Sequence, residues 1–225
     1  MQTEQQSAFW DIIEVFDQKG LLPYVMLIGS WAEYIYQFYF KSDFRPNLRT
    51  RDVDFLYMNL HRPKSDIKLL DGLKEKGFLY KEDVLSGIGK FVKEDLLELE
   101  FMTRDLGKGQ PTYKIPSIGI EAEGLRVVNM LVNYPLEIVC NNHTVIVPEP
   151  EAYLLQKLLT NPTRTPASKK EKDIQAVHTL LKYANNDRIH QIFDGMSKKS
   201  KKIVARVCEE HFISCLTDYK QDSDN

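Results

Sequence analysis

The residues best suited to chemistry are acids at alternate positions. Asp52-Val-Asp54-Phe-Leu-Tyr57 carries two aspartates one residue apart, and Leu97-Glu-Leu-Glu100-Phe101 repeats the pattern with glutamates. In a strand, Val53, Phe55 and Tyr57 face one way and Asp52 and Asp54 the other, roughly 6–7 Å apart along the chain. Aspartate is a poor strand former, so two at alternate positions call for a reason beyond propensity. A second Asp-x-Asp, Asp222 and Asp224, is unremarkable in a chain with sixteen aspartates and reads as a solvated terminus. Carboxylates from Asp52, Asp54 and Glu100 brought together would repel unless a cation sat between them. Oxygen-only ligands select a hard ion, Mg²⁺ or Mn²⁺, bound together with substrate phosphates. Such ions polarise a phosphoryl centre and lower the pKa of an attacking hydroxyl. The plain structural alternative is that these acids line a wet sheet face.

A second feature lies upstream. Tyr24-Val-Met-Leu-Ile28 is a short apolar run ending at Gly29, and Ser30 with Glu33 three residues later is a capping-box pattern. A buried strand therefore meets a helix start at Gly29-Ser30. The absent Cβ lets a phosphate approach, amide hydrogens and the helix dipole favour an anion, and the Ser30 hydroxyl adds a donor. A simple helix cap explains the same residues, and the two readings are compatible.

The elements that must position these residues follow from periodicity. Phe9, Ile12, Ile13 and Phe16 predict a helix over 7–18, stopped by Gly20 and Pro23. Helix 65–76 ends at Gly77, strands follow over 90–93 and 96–102, and 106–125 reads as a hairpin or a long loop. Short apolar runs continue to Val147 with a turn at Asn141-Asn142. Pro148-Glu-Pro150 opens a helix to about Thr160, since proline is tolerated in a first helical turn. Further helices are expected over 169–184, 187–194 and 198–214. The expected fold class is α+β, a mixed sheet flanked by helices over 1–148 and a helical region over 149–216, with a frayed tail over 217–225.

Composition narrows the function classes. The 225 residues include 30 Lys and Arg against 32 Asp and Glu, which excludes a strongly basic, histone-like binder. At this length folding buries roughly 70 % of the unfolded surface, so no disulfide or metal staple is required. Three cysteines, Cys140, Cys208 and Cys215, form neither a disulfide framework nor a zinc pattern. A reducing, cytoplasmic setting is expected, with no disulfides. The N-terminus lacks the basic start and apolar run of a secretory signal, and no apolar stretch is long enough to span a bilayer.

Gly29-Ser30, then Arg49-Thr-x-Asp52-x-Asp54, then Glu100 within Leu99-Glu-Phe-Met-Thr103 resemble the signature of the polymerase-β-type nucleotidyltransferase superfamily. The pattern is nearest to bacterial proteins related to abortive-infection and toxin–antitoxin nucleotidyltransferases. Val147-Pro-Glu-Pro-Glu151, Lys157 and Lys169-Lys-Glu-Lys-Asp173 match that group's downstream pattern. Glu100 departs from the commoner aspartate, though glutamate is a competent oxygen ligand. The resemblance covers roughly residues 24–183. It implies a Mg²⁺-dependent enzyme that transfers a nucleoside monophosphate from a nucleoside triphosphate to an acceptor such as an RNA or a protein hydroxyl. Asp52 and Asp54 would hold the metals, and Glu100 would ligate a second ion or accept the acceptor's proton. Gly29, Ser30 and Arg49 would hold the triphosphate, with Lys157, Lys172 and Asp173 as secondary nucleotide-binding candidates. Each has a plain counterpart: Lys157 could snorkel from an apolar helix face, and Lys169 and Asp173 could form a surface pair. A non-catalytic binding partner of a protein or RNA, and a metal-dependent nuclease, are the other classes; dependence on a triphosphate separates them.

Overall fold

The computed structural model describes residues 3–40, 43–46, 50–107 and 111–216, the Cys215 side chain apart. Arg49 and the tail from residue 217 therefore lie outside the described residues. Two compact units meet at the Pro148–Glu149 bond, Met1–Pro148 and Glu149–Asn225.

The first unit is built on a mixed sheet. Helix α1 (Glu4–Gln18) leads into β1 (Val25–Ile28), α2 (Ser30–Phe40), β2 (Asp52–Tyr57), α3 (Leu69–Glu75), β3 (Leu79–Glu82), β4 (Gly89–Lys93) and β5 (Leu97–Arg104). The hairpin β6 (Thr112–Ile115) and β7 (Ile120–Leu125), α4 (Asn129–Asn133), and the hairpin β8 (Pro135–Cys140) and β9 (His143–Pro148) complete it. The strand order is β1-β2-β5-β4-β3, with β7 also on β5. β2 and β5 run parallel, while β1 and β4 run antiparallel to their neighbours.

Alternation decides which face is covered. Val53, Phe55, Tyr57, Leu97, Leu99 and Phe101 are all buried on one face. Phe16 of α1 packs there, its ring centroid 4.8 Å from that of Phe55 and stacked 5.8 Å from that of Phe101. The opposite face is apolar only in part: Met26, Ile28 and Leu56 pack with Val128 and Leu131 near α4. Beyond them the same face turns polar.

Several boundaries differ from the periodicity. α1 starts three residues earlier than residue 7, because Thr3 and Gln6 form a reciprocal capping box. α3 is shorter than 65–76, and residues 112–125 form the β6–β7 hairpin. Strand β3 escaped the pattern altogether, since its Leu79 is exposed. The Asn141-Asn142 turn has positive φ at both residues, 46° and 65°, as a tight two-residue hairpin requires.

The second unit is helical: α5 (Pro150–Thr160), α6 (Ala167–Leu180), α7 (Asn186–Asp194) and α8 (Lys198–Glu210). A single 3₁₀ turn, Asn161–Thr163, follows α5, and α6 starts two residues before the expected 169. Glu149 holds Arg188 through two hydrogen bonds, and Glu151 accepts the Asn185 amide at the start of α7. No helix among the described residues is long and apolar enough to cross a membrane.

Candidate active site

The parallel β2–β5 register sets Asp52 opposite Glu98 and Asp54 opposite Glu100. Partners in register share a face, so four carboxylates stand on the polar half of one sheet surface, with neighbouring strands about 4.8 Å apart. Asp52 is exposed at the strand's start, where the Thr50 hydroxyl donates to its Oδ2 at 3.2 Å and accepts its backbone amide at 3.1 Å. Asp54 is half-buried further in.

Gly29 closes this site from the next strand. β1 pairs with β2 so that Ile28 lies opposite Asp54, which brings the following glycine alongside the carboxylate. Gly29 adopts φ +66°, and a Cβ built there would stand 2.6 Å from Asp54 Oδ2. Only glycine allows that approach in that conformation. Helix α2 begins at the next residue, Ser30, as the sequence predicts. Asp52, Asp54, Glu100, Gly29 and Ser30 are thus carried on adjacent elements of one unit.

Electrostatics distinguish the acids. Burial pushes the Glu100 carboxyl above the ordinary glutamate range; Lys90 opposes this, and Asp52, Glu98 and Glu123 add to it. Glu98 moves the other way, chiefly through its hydrogen bond from the Lys90 ammonium. Lys90, on β4 opposite Glu100, also lies 4.0 Å from Glu100 Oε1. Sequence spacing did not single it out, because a lysine's partner depends on the register of β4 against β5.

Hard carboxylate oxygens on one face are donors suited to Mg²⁺ or Mn²⁺, so the donor set fits the expected ion. Among the described residues, however, no group of three or more His, Cys, Asp or Glu is gathered as a ready metal cage. The acids share a face without converging on one point.

In the helical unit, Lys157 and Asp173 meet as a buried pair at 2.8 Å, with exposures of 8 % and 5 %. The Lys157 ammonium also lies over the Tyr153 ring, and Arg164 adds a 3.1 Å contact to the other Asp173 oxygen. Asp173 therefore faces inward to Lys157 and Arg164, rather than forming the surface pair with Lys169 that the i, i+4 spacing offers. Arg164 carried no sequence signal, since it lies between helices. Lys172 is exposed.

A nucleotidyltransferase family model matches residues 8–201. The chain belongs to this nucleotidyltransferase family. It is accordingly a transferase enzyme of the nucleotidyltransferase superfamily. No curated protein matches the sequence. An antigenic nucleotidyltransferase-like protein from Paracoccidioides brasiliensis is similar in fold, with a TM-score of 0.55 and 16 % identity over 93 % of this chain and 90 % of its own. The solution structure of the antibiotic-resistance factor ANT(2″)-Ia gives 0.52 and 15 %, covering 94 % of this nucleotidyltransferase and 98 % of that chain. A crystal structure of ANT(2″)-Ia in complex with adenylyl-2″-tobramycin gives 0.50 and 14 %, over 93 % and 99 %. At these identities the likeness concerns the fold.

Proposed function

We propose that this nucleotidyltransferase moves a nucleoside monophosphate from a nucleoside triphosphate to an acceptor hydroxyl, with Asp52, Asp54 and Glu100 as its acidic centre. The supporting observation is the seat of Asp54 against Gly29, with Glu100 directly across the strand pair. Asp52 and Asp54 would hold a divalent ion, Mg²⁺ or Mn²⁺, which when bound neutralises phosphate charge and polarises the α-phosphorus. Gly29 and Ser30 offer the triphosphate a helix start without a Cβ in the way. The acceptor oxygen bonds to the α-phosphorus, the bond from that phosphorus to the bridging oxygen breaks, and pyrophosphate leaves. Glu100, made more basic by burial, takes the hydroxyl proton.

Arg49, and in the helical unit Lys157, Lys172 and Asp173, are the further nucleotide-binding candidates. Burial and mutual pairing give Lys157 and Asp173 a structural duty as well, whereas Lys172 is exposed to solvent. RNA, protein and small-molecule hydroxyls are the acceptor classes; the adenylyl-2″-tobramycin in the ANT(2″)-Ia complex illustrates the last. Kinship with abortive-infection and toxin–antitoxin nucleotidyltransferases belongs to this reading, and labelling of an RNA or protein would favour it.

The test is transfer of label from an α-labelled triphosphate in the presence of Mg²⁺ to a panel of RNA, protein and small-molecule acceptors. Asp52→Ala with Asp54→Ala should reduce transfer at least about a hundredfold. Equal transfer by the variant and the unaltered protein would remove these residues from the site.

A further inference from the structure

The acid face already holds one cation of its own. Lys90 sits opposite Glu100 on β4, its Nζ is hydrogen-bonded to Glu98 Oε2, and it stands 4.0 Å from Glu100 Oε1. Glu98 in turn pairs in register with Asp52, and Glu100 with Asp54. The lysine therefore holds the two glutamates that stand in register beside the aspartates to which the proposed function gives a divalent ion.

We propose that Lys90 is a resident counter-cation, a positioning residue that sets how tightly this face takes a divalent ion. Its ammonium offsets the charge of Glu98 and Glu100 and so lowers the repulsion among the four carboxylates. The same positive charge opposes a dication arriving at those aspartates, as like charges at this range must. Lysine suits the part because it carries a compact point charge on a flexible stem, and this one keeps 38 % of its side chain exposed. With Lys90 present, bare ions load weakly, and triphosphate oxygens are needed to complete the attraction. Metal loading is thereby tied to nucleotide loading. This inference rests on the acid-face reading above and adds to it the residue that tunes the face.

Calorimetric titration of Mg²⁺, without nucleotide, into the full metal-free chain tests it. Lys90→Met removes the charge and keeps an apolar stem; Lys90→Arg keeps the charge; Lys90→Gln serves if the methionine variant does not fold. The neutral variant should bind Mg²⁺ about tenfold tighter than the unaltered protein, with the arginine variant within about threefold of it. Equal or weaker binding by the neutral variant, while Asp52→Ala with Asp54→Ala abolishes the heat, would overturn the role of Lys90 and leave the acid-face reading standing. Absence of Mg²⁺-dependent heat in all of these proteins, or heat that survives loss of both aspartates, would overturn both.

Discussion

Gly29 carries two constraints at once, a left-handed backbone and the Asp54 carboxylate against its α-carbon. Gly29→Ala should therefore cost about 1–2 kcal/mol from backbone strain alone, read by urea unfolding, and should also depress nucleotidyl transfer by displacing Asp54. A stability loss without a change in transfer would separate the two constraints. Cys140, 4 % exposed, supplies a pH-dependent counterpart, since burial raises its thiol from 9.0 to about 11. The folded state disfavours the thiolate, so this contribution is complete below pH 9 and is lost as pH rises towards 11. Between pH 8 and 11 the unaltered protein should lose about 2 kcal/mol more than Cys140→Ala, measured by urea unfolding. At this scale, the faces of Asp52, Asp54 and Glu100 were legible because strand periodicity alone decides them. Lys90 and Arg164 were not, because an ionic partner is chosen by neighbouring strands and helices that spacing along one segment does not describe.

At the scale of elements, α5 and α6 are joined by an ion pair that water barely reaches. Removing Lys157 leaves buried Asp173 with the part-exposed Arg164 as its ion-pair partner, which costs more than the pair contributes. Lys157→Met should cost about 3 kcal/mol in urea unfolding, and adding Asp173→Leu should restore most of it. If Lys157 served nucleotide alone, the single variant would unfold like the unaltered protein. Elements with a buried, alternating face were readable: β2, β5 and the β8–β9 turn at Asn141-Asn142 all follow local rules. β3 was not, because three of its four residues are exposed and the fourth is only half-buried, leaving no alternation to detect. The early start of α1 depends on a capping exchange between Thr3 and Gln6, two polar residues outside its apolar stripe.

At the scale of the whole molecule, a ligand that binds only the folded chain must raise its unfolding temperature. A triphosphate with Mg²⁺ at a hundred times its dissociation constant adds about 2.7 kcal/mol. For a chain of 225 residues this corresponds to about 5–10 °C in a melting experiment. Asp52→Ala with Asp54→Ala should abolish the shift, whereas a shift retained in full would place the nucleotide elsewhere. The α+β architecture was legible from the order of its periodic segments; the parallel pairing of β2 with β5 was not, because the sequence between them does not state which strands become neighbours. That pairing makes the chain sensitive to the parity of its length changes. One residue inserted just before Glu98, with the start of β5 held in register, would turn Glu98 and Glu100 towards the Phe16 side and bring Leu99 up beside Asp54, whereas two would preserve the facing. Natural variation in this strand should therefore tolerate indels in even steps, if at all, while the loops around it accept any number.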